Sequence, residues 1–382
     1  GYVGGRLVAL LAADGHELRL ASRDPRGLAE RFPEAEVVRV DLLDPSTLAA
    51  ALEGVDTAYY LAHSMAGGEA GFALRDLQAA RWFGQAARES GVQHIVYLGG
   101  LGDPEHGLSA HLASRQETGA ELASHGVPVT EFRAAVIIGS GSASFELLRS
   151  LVEHLPVMVT PRWVRTLCQP IAIRDVLDYL RGAAGHPERA AVVEIGGPDV
   201  LSYAEMMHTY ARLRGMRRVM VPVPVLTPRL SSYWCNLVTP VPASIARPLI
   251  EGLRSEVVVR NPDPARAFGV ESTPFELAVR RAIDRTDRHD VETTWFDSLG
   301  LPGRPDLAQD DNREGMIVDR QYRRVRATPA ETFAQIERLG GDAGWPSGNV
   351  LWRFRGLLDR IVGGPGMRLG RRDPRHVRVG DA

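Results

Sequence analysis

Lysine is entirely absent from this chain, so all 45 residues counted as lysine plus arginine are arginine. That absence excludes a phosphate-loop lysine, a Schiff-base lysine and any proton relay through an ammonium group. Arginine binds phosphate well but stays protonated, which makes it a poor base. Codon bias in a GC-rich coding sequence gives the same pattern, and the chemical exclusion holds whatever its origin. Cysteine is nearly as scarce. Cys168 and Cys235 are too few for a disulfide scaffold or a cysteine-rich metal site, and a reducing, cytoplasmic setting is the simpler expectation. No stretch of about 18 apolar residues occurs, so stable membrane insertion is not expected. A signal peptide is not visible either. The histidines never occur as H-x-x-x-H, and Gly139-Ser140-Gly141-Ser142 lacks the G-x-S-x-G spacing, so neither a metal site nor a nucleophile elbow is expected.

What is present suits a soluble globular protein of two or three domains: 382 residues, 44% apolar and 24% charged. A net charge of -2 gives no broad electrostatic reason to expect nucleic acid as a partner. The chain opens at Gly1 inside what reads as a motif and ends shortly after a possible strand start, so it is expected to be a fragment clipped at both ends.

Up to about residue 200 the pattern alternates between helical and extended stretches. Leu7 to Ala13 reads as helix, Glu17 to Ala21 as strand, Val37 to Val40 as strand and Thr57 to Ala62 as strand. Leu74 to Glu89 is helical, His94 to Leu98 extended, Ala113 to Ser124 helical, Val129 to Ile138 extended, Phe145 to His154 helical and Val192 to Ile195 extended. Strands separated by helices of this length predict βαβ units and a parallel sheet. From about 215 to 265 prolines break the rhythm and predict a mostly irregular or helical lobe, closed by a helix from Pro274 to Ile283. Residues 286–314 are polar and suit a linker. Beyond it, Gly315 to Ala327 reads as strand, Pro329 to Leu339 as helix, and Val350 to Val362 is apolar at helical spacing.

The opening Gly1-Tyr2-Val3-Gly4-Gly5-Arg6 precedes an apolar helix. Glycines at a helix start let backbone N–H groups approach a pyrophosphate under the helix dipole. About 20 residues on, where such a fold reads the adenosine ribose, the turn carries Ser22 and Arg23 rather than an acid. A guanidinium there can hold a 2′-phosphate, which favours NADP over NAD. Asp41 closes the next strand, where a carboxylate can accept from the adenine amino group. Plainer roles also exist: a helix cap for Ser22 and a solvated charge for Arg23.

The run GYVGGRL, the turn ASRDP, the VDLLD segment and GVDTAYYLAHSM together resemble the atypical and extended short-chain dehydrogenase/reductases, in particular NmrA-like NAD(P)-binding proteins of the YbjT type. The resemblance covers roughly residues 1 to 285. It implies a Gly-x-x-Gly-x-x-Gly fingerprint in which Gly1 and Gly4 match the second and third glycines, the first strand and first glycine being missing. The cofactor-binding set it implies is Gly1, Tyr2, Val3, Gly4, Ser22, Arg23, Asp41, Leu42, Leu61, Ala62, His63, Leu98 and Gly99, with NADP as the expected cofactor and NAD as the alternative.

The same resemblance implies a serine after the fifth strand and a tyrosine followed four positions later by lysine, the tyrosine acting as general acid/base. Here the strand runs into Gly99-Gly100 where the serine would fall, while His111 and Arg115 take the tyrosine and lysine spacing. His111 can transfer a proton near neutral pH and Arg115 can hold a ribose hydroxyl; alternatively both are surface residues of an exposed helix. His63, at the end of the preceding strand, is either a contact to the nicotinamide side or an ordinary polar loop residue. The loop Gly139–Ser142 reads as a wall of the substrate cleft.

Residues from about 297 resemble a second family, START-like modules of the SRPBCC type fused behind such reductase domains, on Gly315-Met316-Ile317-Val318-Asp319-Arg320, Ala330-Glu331-Thr332-Phe333, Gly344-Trp345 and the run Leu351 to Asp359. Trp345, Trp352 and Phe354 are candidates for a ligand pocket or for plain core. The expected fold is therefore α/β, a Rossmann-type doubly wound parallel sheet with a small C-terminal lobe over residues 1–285. A linker follows at 286–314, then a partial α+β START-like domain at 315–382. The expected activity is hydride transfer between NADPH and a small apolar or quinone-like substrate. The alternative is a redox-sensing regulator that binds the dinucleotide without turnover.

Overall fold

The structure is a computed structural model that describes residues 1–23, 25–62, 69–186, 190–222, 251–252, 255–288, 290–295 and 327–337, with isolated positions at 350, 354 and 356. Cys235, His63, most of the expected linker and most of the START-like stretch, including Gly315–Arg320, Trp345 and Trp352, lie outside the described residues.

In chain order the elements begin α1 (Tyr2–Ala13), β1 (Arg19–Ser22), α2 (Pro25–Arg31), β2 (Glu36–Arg39), α3 (Leu48–Leu52), β3 (Thr57–Tyr60), α4 (Glu69–Glu89), β4 (His94–Gly100) and α5 (Ala110–Ala123). They continue with β5 (Val129–Ala134), β6 (Ile137–Ile138), α6 (Ala143–His154), β7 (Val157–Thr160), β8 (Leu167–Cys168), β9 (Ile171–Ala172), α7 (Ile173–Ala183) and β10 (Ala191–Ile195). Then follow β11 (Leu201–Ser202), α8 (Tyr203–Leu213), β12 (Val219–Pro222), α9 (Phe275–Asp287) and α10 (Pro329–Glu337).

The main sheet has the order β10-β5-β4-β3, with every pairing parallel. A separate parallel pair, β1 and β2, carries the start of the alternation. Strand β4 is buried at all seven positions, as a central parallel strand covered on both faces must be. Its side chains divide by parity. Ile95 and Tyr97 enter a core with Leu48, Ala80, Phe83, Ala87 and Leu122 from the α3, α4 and α5 face. Val96 and Leu98 enter the opposite core with Leu7, Leu11, Phe132, Val176, Tyr179, Leu180 and Ile195. Helices on both faces of a parallel sheet are the Rossmann-like arrangement expected from the alternation.

Several boundaries differ from the expectation for local reasons. Helix α1 starts at Tyr2 rather than Leu7, so the glycines lie within its first turn. Helix α5 starts at Ala110 rather than Ala113 because the Ser109 side chain accepts from the Leu112 amide as an N-cap. The extended run from Val129 to Ile138 is two strands: β5 pairs with β4 and β10, whereas β6 pairs with β9. Helices α7 and α8 were not expected at all. The latter begins with a capping box between Ser202 and Glu205. Part of the lobe expected to be mostly irregular or helical is a strand, since Val219–Pro222 pairs in parallel with β7. Proline is admissible at the last position of such an edge strand.

A third core joins Ile138, Phe145, Cys168, Met206, Tyr210, Val257, Phe275 and Val279, tying α6, α8 and α9 together. Cys168 is a small hydrophobe here: burial pushes its thiol up to about 11, so it is no nucleophile at neutral pH. In the C-terminal stretch α10 opens with Thr328 and Glu331 capping each other. Phe354 is 59% exposed.

Phe132 is fully buried between Phe268, with ring centroids 5.1 Å apart, and Tyr179 at 5.8 Å. Phe132→Ala should therefore lower the unfolding free energy by about 3–5 kcal/mol. A urea titration giving a loss under about 1 kcal/mol would show that this side of the sheet is not tightly packed.

Candidate functional site at the sheet edge

Because β1 runs parallel to β2, and β3, β4, β5 and β10 run parallel to one another, each group of strands ends on a common edge. Ligands of open α/β sheets bind beyond such an edge. The first turn of α1 reaches it: a β-carbon at Gly4 would lie 3.6 Å from Leu61, just past the end of β3. Leu98 and Gly99 are the neighbouring residues on β4, both buried. Gly1 is the N-cap of α1, and the first turn holds no acidic side chain. The helix thus presents amides and the positive end of its dipole with no carboxylate to oppose an anion.

Ser22 ends β1 and its carbonyl accepts from the Val40 amide, which places the next turn beside the end of β2. Arg23 follows and is exposed. Asp41 is held by a local turn. Its Oδ1 accepts from the Leu43 amide at 3.0 Å, and its own amide donates to Thr47 Oγ1 at 3.1 Å. Leu42 is partly buried against the α3 side, and Ala62 is exposed. Of the expected cofactor set, His63 alone lies outside the described residues. Tyr2 departs from the expectation by pointing inward. A β-carbon at Gly139 would meet its hydroxyl at 2.5 Å, and burial raises its pKa far above the ordinary phenol value.

The catalytic candidates change character. A β-carbon at Gly99 would lie 2.8 Å from Glu131 Oε1, and one at Gly100 would lie 2.8 Å from Leu112 Cδ2. The serine position is thus filled by neighbours as well as vacant in sequence. His111 is the second residue of α5 and partly buried, not a surface residue. Burial, with the positive charge of Arg115 one turn later, pushes its pKa down to about 4. At neutral pH His111 is a neutral imidazole that can donate an N–H but carries no proton to give as an imidazolium. Arg115 is committed to the strand end. It donates to the Leu98 carbonyl, and its guanidinium lies 5.7 Å from the Tyr97 ring centre. Tyr97 Oη in turn donates to the Arg115 carbonyl at 2.9 Å.

The loop Gly139–Ser142, expected as a wall of the substrate cleft, is buried at all four positions. Ser142 caps α6 through the Phe145 amide and donates to the Ile137 carbonyl. Arg6 and Thr293, which the sequence reading passed over, lie against this loop. Arg6 is 6% exposed; its Nε donates to Thr293 Oγ1 at 2.7 Å and one terminal nitrogen donates to the Ser140 carbonyl at 2.8 Å. A signal was available: Arg6 is the single charge in the twelve-residue helix YVGGRLVALLAA. Among the described residues no group of three or more histidine, cysteine, aspartate or glutamate side chains could hold a metal, and no helix is long and apolar enough to cross a membrane.

Residues 1–126 match a family model described as NAD(P)H-binding. No curated protein matches the chain. Among solved structures, triphenylmethane reductase from Citrobacter sp., complexed with NADP(H), is 18% identical with a TM-score of 0.60, covering 74% of this chain and 96% of the reductase. An NADPH-dependent quinone oxidoreductase from Escherichia coli, complexed with NADPH, is 16% identical with a TM-score of 0.58, covering 73% of this chain and 95% of its own. A nucleoside-diphosphate-sugar epimerase from Staphylococcus aureus is 13% identical with a TM-score of 0.60, covering 73% and 96%. Likeness at these identities establishes the fold: a Rossmann-like parallel sheet whose first 126 residues carry the NAD(P)H-binding signature.

The depressed pKa of His111 has a readable consequence. Its unfolded value is about 6.5, so between that and about 4 the unfolded chain takes up a proton that the folded chain does not. The contribution of this residue to stability is therefore intact above pH 6.5 and falls as pH drops toward 4. A ring titration followed by NMR should give a His111 midpoint well below 6; a midpoint at or above 6.5 would place the ring in solvent.

Proposed function

We propose that this chain is an NADP(H)-dependent oxidoreductase that transfers a hydride to a small apolar or quinone-like acceptor. The observation that carries the reading is the placing of an acid-free glycine turn at the sheet edge against Leu61, in a segment matching an NAD(P)H-binding family. The residues present fit a dinucleotide. Gly1, Tyr2, Val3 and Gly4 offer first-turn amides for the pyrophosphate. Arg23, exposed after β1, supplies the charge for a 2′-phosphate, and Asp41 stands at the adenine side. Leu61, Ala62, Leu98 and Gly99 give an apolar floor toward the nicotinamide. When bound, NADPH supplies the hydride. The protein contributes orientation, exclusion of water by the apolar floor, and a neutral N–H donor at His111. The reductase and quinone oxidoreductase among the similar folds, both solved with the phosphorylated cofactor, agree with this assignment.

A second reading, dinucleotide binding without turnover, is favoured by one feature: the filled serine position at Gly99 and Gly100 in a chain that contains no lysine. Residues 315–382 resemble a START-like module in sequence only, and a small-molecule-binding module of that type fused behind a dinucleotide-binding domain would favour the enzyme.

Arg23→Ala should weaken NADPH by roughly 10- to 100-fold, the worth of a charge-assisted pair of about 1.5–3 kcal/mol, and leave NADH nearly unchanged. Equal loss for both cofactors would contradict the 2′-phosphate assignment. Oxidation of NADPH by a panel of quinones and aldehydes separates the two readings. An enzyme turns over at least one of them, and His111→Ala then abolishes turnover with little change in affinity. No oxidation across the panel supports the sensor.

A further inference from the structure

Residues 290–295 fall within the polar stretch 286–314 that suits a linker, yet two of them are buried and the segment is tied to the body of the fold. Thr293 and Trp295 are 0% and 4% exposed. The Trp295 amide donates to the Gly141 carbonyl at 2.8 Å, and Arg31 donates to the Glu292 carbonyl at 2.8 Å. Thr293 occupies the centre. Its hydroxyl accepts from Arg6 Nε at 2.7 Å and donates to the Tyr2 carbonyl at 2.8 Å. Both partners belong to the first turns of α1, whose amides face the sheet edge. Fit is close on every side. A β-carbon at Gly5 would lie 2.9 Å from Thr293 Cγ2, and one at Gly141 would lie 2.4 Å from the Thr293 carbonyl oxygen. Gly141 also has φ +80°, a conformation open to glycine without strain.

From this packing we infer that Thr293 and Arg6 are positioning residues for the dinucleotide site, and that the strap at 290–295 and the dinucleotide are coupled ligands of the same helical turn. The inference rests on the functional reading above and extends it. A carbonyl and a side chain of α1 are bound by the strap, so the turn's amides are fixed before an anion arrives. Binding to a preorganised turn costs less ordering than binding to a loose one. The coupling is reciprocal: whatever the docked strap adds to dinucleotide affinity, the dinucleotide adds to strap docking.

The test is hydrogen exchange at 290–295 in the full chain, with and without saturating NADPH, together with dissociation constants for Thr293→Val and Thr293→Ser. NADPH should slow exchange at 290–295 in the unaltered chain. Thr293→Val, which loses the hydroxyl at near-constant volume, should bind NADPH roughly 5- to 100-fold more weakly, the usual span of coupling between two sites. In that variant the strap should no longer respond to NADPH, while Thr293→Ser should restore both effects. A purely structural residue would lower stability without making strap exchange depend on the cofactor. NADPH binding that leaves exchange at 290–295 unchanged overturns this inference alone. Absence of NADPH binding overturns the inference and the functional reading together. Should Thr293→Val fail to fold, the exchange experiment on the unaltered chain still decides.

Discussion

A guanidinium buried in an otherwise apolar helix must find acceptors or exact a heavy desolvation cost. Arg6 finds them in segments very distant in sequence: the Ser140 carbonyl after β6 and Thr293 beyond α9, with Glu292 3.9 Å away and the Tyr2 ring 4.8 Å beneath. The orientation of the first turn of α1 follows from that set of partners. Tyr2 is turned inward against Gly139, Gly5 packs on Thr293, and Gly4 is left facing Leu61 at the end of β3. The remaining features of the candidate site lie where parallel strands end, and they need this helix to be held in place to act together.

The chemistry available at that edge is that of binding more than of proton transfer. The serine position is closed by Glu131 and Leu112, the lysine position is an arginine bound to the Leu98 carbonyl, and the histidine at the tyrosine position is neutral. On the proposed reading the driving group is carried by the cofactor, with the protein setting distance and excluding water.

The alternation of strand and helix up to residue 200 was legible because parallel strands covered on both faces are continuous apolar runs, as in His94–Gly100. The places of Ser22, Asp41 and Leu61, at or just past the ends of β1, β2 and β3, were legible for the same reason, since a strand's end fixes the place of the loop after it. Tertiary facts were not. The division of Val129–Ile138 into two strands depends on partners as remote as β9 and β10. The neutrality of His111 depends on burial that no local pattern announces. The strap looked like a linker because Asp290, Glu292 and Thr293 are polar; what buries Thr293 is the arginine of a helix 287 positions away. Arg6 itself was the visible clue, a lone charge in an apolar helix.

Calorimetric titration of the full chain with NADPH tests the central claim most directly. If the first turn of α1 and the strand ends form a dinucleotide site, the heat should saturate at one NADPH per chain, and excess NADP should compete it away. Absence of heat, or heat that does not saturate and is indifferent to NADP, would contradict the account.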